Sequence, residues 1–300
     1  VSRTAAVRST DDVADRLSSR DFQRLAAFIN DYSGIKMPSG KQVMLEGRLR
    51  RRLRATGHET FGEYCRYLFD EDGLEAEAIF LIDVVTTNKT DFFREPTHFD
   101  YLTRQALPDL ASRGITSIRA WSSACSIGAE PYTMAMVLAD FAQAHRPTSW
   151  FVLATDLSTD VLETARRGIY PRSMLDPVPT ALRKSHVRVA RRQTETVARI
   201  APALRSNVGF ARLNLMDESY PVGEPMHLIF CRNVLIYFDK ETQKQVLHRL
   251  CDNLVPGGYL FIGHSESITG FDLPVRTVSN TVFQKLPDGA PRPATQRRRT

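Results

Sequence analysis

The sequence predicts an α/β fold: a mostly parallel sheet covered by helices on both faces, preceded by a small all-helical region. Three observations predict it. From about residue 117 onward, apolar strands alternate with helical segments, the pattern of parallel βαβ units. Before residue 86 the apolar spacing is helical and no strand alternation appears. Between about 169 and 206 the alternation is lost, over a length too great for an ordinary connection.

The elements follow in order. Residues 1–18 are polar and read as a disordered arm. Phe22, Leu25, Ala26 and Ile29 then recur at helical spacing, with Ser19 expected as the N-cap and Gly34 as the stop. "GKQVMLEGRLRRRLRATG" reads as a second helix ended by Gly57, and "TFGEYCRYLFDE" and "LEAEAIFLIDVV" as a third and fourth. Residues 19–86 are thus expected to form a helical N-terminal domain. "VTTNKTDFFREPTHFDYL" breaks the pattern, so 87–97 reads as a linker and 98–286 as the α/β domain.

Within that domain strands are expected at 117–121, 150–155, near 207–212 and at 227–231. Helices are expected near 129–143, 159–167 and 239–254. "GGYLFIGHS" and "TVFQKL" read as a closing antiparallel pair. The stretch 169–206 mixes short β-branched pieces, prolines and arginines, and reads as a small β insert. Residues 287–300, with "RRR" near the end, read as a flexible basic tail.

Composition narrows the class. Of 300 residues, 42% are hydrophobic and 25% charged, as in ordinary soluble globular proteins. No run approaches the roughly 18 apolar residues of a membrane span, and "VSRTAAVRSTDDVADR" has no apolar signal core. A cytoplasmic protein with no membrane insertion is the expectation. Cys65, Cys125, Cys231 and Cys251 are scattered with no C-x-x-C pair, so neither a zinc site nor a disulfide framework is predicted. No metal ligand is named. The net charge of +6 is moderate, but "RLRRRLRATG" gathers Arg48, Arg50, Arg51, Arg52 and Arg54. Such a run attracts acidic partners. Leu45, Leu49 and Leu53 share the inward face of that helix, with Arg50, Arg51 and Arg54 roughly opposite and Arg48 and Arg52 flanking the apolar stripe.

In an open parallel sheet the ligand lies beyond the carboxyl ends of the strands. The first such end, "IRAWSSACSIGAEPYTMA", runs into small residues, Ser122 to Ser126 and Gly128, that let backbone approach a cofactor. It lacks G-x-G-x-x-G, so a dinucleotide fold is not supported. Glu130 at the helix start would repel a pyrophosphate and welcome an ammonium or sulfonium; it could equally stabilise the first helical turn. Asp156 ends "FVLATD" and can accept two ribose hydroxyls, or cap the next helix. Asn214 follows the third strand, and Arg232 and Asn233 the fourth.

Together, "TTNKTDFFRE", "WSSACSIGAEPYTMA", "ATDLS", "LNL", "IFCRNVLIYFD" and "GHSES" closely resemble the CheR-type chemotaxis receptor (protein-glutamate) O-methyltransferases, from about Asp21 to Leu286. The resemblance implies a Rossmann-like methyltransferase sheet with a small β insert, using S-adenosylmethionine and releasing S-adenosylhomocysteine. It implies cofactor contacts at Asn88, Thr90, Arg94, Glu130, Asp156, Asn214, Leu215, Arg232 and Asn233, and catalytic roles for Arg94 and Tyr237. The implied partner is the cytoplasmic helical region of chemotaxis receptors, docked by the arginine helix. The insert is where some family members take a receptor's C-terminal peptide. A monomer that binds no nucleic acid is expected. One departure stands out: the family's loop often reads S-T-G-E-E-P-Y, and here Ile127 and Ala129 replace a hydroxyl residue and an acid.

The residues suit that chemistry. A sulfonium methyl is already activated and a glutamate carboxylate is already a nucleophile, so in-line positioning matters more than a strong base. Two rival classes remain open at this level. A nucleic-acid N-methyltransferase usually carries Asn/Asp-Pro-Pro-Tyr/Phe, and "NVLIYF" has no proline. A non-catalytic cofactor-binding regulator would have no need of Arg94 and Tyr237.

Overall fold

The computed structural model describes residues 15–145, 149–192 and 195–289. They form two compact units. The smaller holds residues up to Asp31 and Met37–Val85; the larger holds Tyr32–Lys36 and everything from Thr86 onward.

The smaller unit is built on α1 (Ser19–Ser33), α2 (Gln42–Thr56), α3 (Phe61–Asp70) and α4 (Leu74–Val85), with a 3-10 turn at Ser39–Lys41. Local chemistry sets their ends. The α1 cap is Ser18, one residue before the expected Ser19: its Oγ accepts from the Asp21 N–H at 3.1 Å. Gly34 (φ 72°) and Gly57 (φ 77°) follow α1 and α2 in the left-handed region, where glycine ends helices without strain. Thr60 and Glu63 form a reciprocal capping box for α3. The stripe of Phe22, Leu25 and Ile29 is buried, as are Leu45, Leu49, Leu53, Phe61, Tyr64 and Leu68 of α2 and α3. The polar arm is ordered at its end: Leu17 is 2% exposed and its N–H donates to Glu46 Oε1 at 3.1 Å. The arm before residue 15 lies outside the described residues.

The arginine helix differs from expectation. Arg52 makes a bidentate pair with Glu77, both contacts 2.5 Å, and lies over the Phe80 ring. Glu77 also accepts from the Tyr64 hydroxyl. Arg48 donates to the Val85 carbonyl at 2.6 Å, and Arg50 to the Asp15 carbonyl while lying over Phe61. These three serve the unit's own architecture, because guanidinium stems long enough to leave the apolar stripe can reach round to neighbouring carbonyls and rings. Arg51 and Arg54 are exposed.

The larger unit carries a seven-stranded sheet: β1 (Ser117–Ser122), β2 (Ser149–Asp156), β6 (Val208–Arg212), β7 (Met226–Cys231), β8 (Leu254–Ile262), β9 (Val275–Ser279) and β10 (Val282–Lys285). Their order is β6-β2-β1-β7-β8-β10-β9. The first five are parallel; β10 is antiparallel to both β8 and β9. β7 is buried along its whole length. Its pleat sends Leu228 and Phe230 to one face and Ile229 and Cys231 to the other, feeding two separate cores. One core is closed by α5 (Pro96–Tyr101), a π-helical stretch Leu102–Ala106, α6 (Leu107–Ser112) and α7 (Ala129–Ala144). The other is closed by α11 (Lys240–Asp252), and α8 (Thr159–Arg167) follows β2.

The sequence reading assigns neither the helical run 96–112 nor β9. The first is signalled by Pro96 at its start, the second only by pairing with β10, since "VRTVS" is a short, half-exposed edge. The insert is a three-stranded antiparallel sheet, β3 (Ile169–Pro171), β5 (Glu195–Ile200) and β4 (Val187–Arg192) in that order, with α9 (Thr180–His186) and α10 (Pro202–Arg205). Cys65, Cys125, Cys231 and Cys251 are free and buried. No helix among the described residues is long and apolar enough to cross a membrane. The tail from residue 290 lies outside the described residues.

Residues 32–36 count with the larger unit although the sequence reading groups them with the helices. Hydrogen bonds explain this: Asn214 Nδ2 donates to the Tyr32 carbonyl at 2.6 Å and Lys36 N–H to the Tyr237 carbonyl at 3.3 Å. Gly34 lies so close to Met216 and Phe238 that a Cβ would come within 2.7 Å of Met216 Sδ.

Candidate cofactor and active site

The strand order reverses between β1 and β7, which opens a crevice beyond their carboxyl ends. A cavity of about 950 Å³, open solvent at its mouth included, lies there. Its wall carries Asn88, Thr90, Arg94, Glu130, Asp156, Asn214, Leu215, Arg232, Asn233 and Tyr237, every residue expected to hold cofactor or act on substrate. Ser123 and Ser126, from the small-residue loop, line it too, as do Ser33, Ile35, Phe99 and Phe238, which were not foreseen.

Arg232 organises one side. Its side chain is 2% exposed and sits between two carboxylates. Nη2 lies 2.9 Å from Glu95 Oε2, and Nη1 lies 3.0 Å from Glu130 Oε2. The same guanidinium donates to the Arg94 carbonyl. Glu130's other oxygen accepts from Ser122 Oγ at 2.6 Å. The bare carboxylate expected at Glu130 is therefore an ion-paired one, because the strand following it in space delivers a guanidinium.

Glu95 is the main residue that sequence reasoning missed. It lies inside the quoted "TDFFRE", but nothing local shows what it meets. Its Oε1 accepts from Asn233 Nδ2 at 3.1 Å and from the His264 N–H at 3.2 Å. Glu95 and Asn233 both hold left-handed backbone, φ 56° and 59°. Such conformations persist where surroundings over-determine them, and here the two side chains bond each other. Glu266, from "GHSES", was also missed. It is buried and accepts from the N–H groups of Gly263, Asn233 and Leu235, which ties down the corner leading to Tyr237.

These carboxylates titrate in opposite directions. Burial would raise Glu95, but hydrogen bonds from Arg232 and Asn233 prevail and bring it down to about 2. Glu130 moves up, since its deeper burial outweighs the attraction of Arg232 and the Ser122 bond. Burial likewise raises Glu266 against its backbone donors.

The opposite wall is a loop clamp. Asp156 Oδ2 accepts from the Ser126 N–H at 2.7 Å and Oδ1 from the Ser158 N–H at 3.0 Å. Ser126 Oγ in turn donates to the Asn88 carbonyl at 2.9 Å. The loop is further pinned by Ser123 N–H on the Phe230 carbonyl and Cys125 N–H on the Thr155 carbonyl. Gly128 (φ 92°) has no room for a side chain: a Cβ would come within 2.8 Å of Ala165. Where the loop departs from the expected pattern, the Ile127 carbonyl accepts from the Tyr170 hydroxyl and Ala129 is fully buried. Asp156 therefore builds the loop, and as a carboxylate with about four acceptor sites it can do so while accepting from a ligand. Asn214 is likewise engaged in the fold, since its Oδ1 accepts from the Met216 N–H.

The residues fit an adenosyl sulfonium cofactor. Small side chains allow close backbone approach after β1, an oriented carboxylate ends β2, and a buried charge network with surplus donors lies beyond β7.

Comparison with known proteins agrees with this geometry. A family model described as CheR methyltransferase, SAM binding domain, matches residues 88–283, and one described as CheR methyltransferase, all-alpha domain, matches residues 20–86. The chemotaxis protein methyltransferase of Salmonella typhimurium (strain LT2) is 39% identical over 275 residues, 91% of this chain and 93% of its own. That of Escherichia coli (strain K12) is 39% identical over 268 residues, 89% and 91% of the two chains. That of Borreliella burgdorferi is 37% identical over 259 residues, 85% and 90%.

Proposed function

Because the chain belongs to the CheR methyltransferase family, and is an S-adenosylmethionine-dependent chemotaxis protein methyltransferase, we propose that it methylates glutamate side chains on the cytoplasmic helical region of chemotaxis receptors. The observation that supports this most is a single cavity wall carrying both the cofactor set and the pair Arg94 and Tyr237. The cofactor supplies a methyl group on a positively charged sulfur. The chain's own residues position what attacks it.

Asp156 holds the ribose hydroxyls, and Asn88, Thr90, Asn214, Leu215 and Asn233 shape the rest of the cofactor bed. Arg94 orients the incoming carboxylate. Its side chain is tied by Nη1 to the Lys89 carbonyl at 3.0 Å, a bond that uses one of five guanidinium N–H donors. Tyr237 sits on a 3-10 turn, Leu235–Tyr237, and donates a hydrogen bond to the same carboxylate. The attacking oxygen stays ionised beside a cation, so nucleophilicity survives burial. Alignment of oxygen, methyl and sulfur is the main source of rate, worth up to roughly 7–11 kcal/mol.

The test is transfer of label from labelled cofactor to a receptor cytoplasmic fragment, with DNA and RNA in parallel. Label should enter the receptor fragment alone and leave it in mild base, as a methyl ester does. Base-stable label, or label in nucleic acid, would reject the reading; no transfer with intact cofactor binding would favour a non-catalytic regulator.

Tyr237→Phe is expected to leave S-adenosylhomocysteine affinity nearly unchanged while kcat falls about tenfold, the worth of one hydrogen bond of about 1–1.5 kcal/mol. Equal losses in binding and rate would move the phenol into the cofactor bed.

For docking, the exposed Arg51 and Arg54 are the candidates, since Arg48, Arg50 and Arg52 are engaged within the helical unit. Each exposed pair is worth about 0.2–1 kcal/mol. Reversing both to glutamate should therefore raise the KM for receptor several-fold at low salt and flatten its salt dependence. Cofactor affinity should not change. An unaltered KM would turn attention to the basic insert around Arg188, Arg191 and Arg192, where a receptor C-terminal peptide is the alternative ligand.

A further inference from the structure

We propose that Glu95, His98 and His264 form a binding site for a divalent transition-metal ion of the zinc class, behind the cofactor cavity. One ligand atom from each lies within 4.8 Å of the others. His98 and His264 meet edge to face at 4.7 Å between ring centroids.

A buried ring nitrogen of His98 is what points to a cation. His98 is 1% exposed, and its Nε2 lies 2.8 Å from Thr281 Oγ1. That hydroxyl also lies 2.8 Å from the Asn280 carbonyl, and with its proton directed there it accepts from Nε2. Nδ1 is then left with a lone pair. It faces Glu95 Oε2 at 3.5 Å and has no hydrogen-bond partner among the described residues. Two acceptors thus face each other, and the Arg232 guanidinium reaches only the Oε2 side, at 2.9 Å.

An ion supplies what is missing. Ligands about 2.0–2.1 Å from a tetrahedral zinc stand about 3.3–3.4 Å apart, close to the Nδ1 to Oε2 separation. Two histidines and one glutamate match a zinc ligand set with an open fourth position. The outer partners are present too: Thr281 orients His98, and Asn233 with the His264 N–H orients Glu95 through its other oxygen. His264 is exposed, which provides an entry route. Arg232 shares Oε2, so the affinity should be micromolar rather than that of a structural zinc finger. A bound ion would tie the start of α5 to the turn after β8.

The test uses the untagged full chain, stripped with EDTA and titrated with cobalt(II) by visible absorption, then with zinc by calorimetry. One cobalt per chain with a ligand-field band of low-coordinate type is expected. His264→Ala, an exposed substitution that leaves the core intact, should weaken binding by more than about tenfold. His98→Gln should abolish it, with folding checked by circular dichroism. Absence of the band at stoichiometric cobalt, or affinity unchanged in His264→Ala, would overturn the site; the facing lone pairs would then be bridged by water alone.

Discussion

Replacing Arg232 with methionine should cost about 3–5 kcal/mol of stability, the usual consequence of removing one partner from a buried ionic group. The loss leaves Glu95 and Glu130 facing a cavity with no guanidinium between them, and frees the Arg94 carbonyl. Urea unfolding followed by circular dichroism would measure it. A loss under about 1 kcal/mol, the range of an exposed pair, would show that the two carboxylates find other partners. Acid titration gives a second reading of the same network. Glu95 sits near 2 instead of its ordinary 4.5. A depressed carboxyl contributes stability that is present above its unfolded value and lost as pH falls toward its folded one. Stability should therefore drop between about pH 4.5 and 2. Glu95→Gln should lessen that slope by up to one proton. Glu130 and Glu266, both raised, act in the opposite sense: their contribution improves as pH falls through their elevated values.

The second large effect is on the cofactor. Asp156→Ala should weaken S-adenosylhomocysteine binding by about a hundredfold or more, since each hydrogen bond to a charged group is worth about 1.5–3 kcal/mol and two are proposed. Titration calorimetry measures it directly. The structure adds a complication that the experiment can resolve. The same carboxylate holds Ser126 and Ser158 N–H groups, so alanine also loosens the loop. Asp156→Asn keeps an acceptor for the loop but loses the charge and one acceptor for the ribose, and should fall between wild type and alanine. A folded Asp156→Ala chain with unchanged affinity would remove Asp156 from the cofactor bed.

Much of this molecule could be read in one dimension. Periodicity located the four helices of the smaller unit and the parallel strands of the larger, because a 3.6-residue or two-residue repeat is a local property of the chain. Strand ends could be read as a site because parallel sheets place their ligands there. That is why Asp156, Asn214 and Arg232 stood out at strand ends, while Asn88 came only from the resemblance; all four share one wall in the fold.

What the sequence left undecided depends on groups meeting across long separations. No spacing tells Glu95 that it will face Arg232, or gives His98 and His264 a common neighbour. No helical wheel shows that Arg52, on the flank of the stripe, will be claimed by Glu77, or that Arg50 will reach the Asp15 carbonyl. Nor does any local pattern assign Tyr32–Lys36, the end of α1 included, to the larger unit and bond them to Asn214 and Tyr237. Local propensity chooses helix or strand within a turn or two of chain. Charge pairing and buried hydrogen bonds are settled only after the sheet has closed, because desolvation forces each buried polar group onto whatever partner the tertiary fold brings within reach.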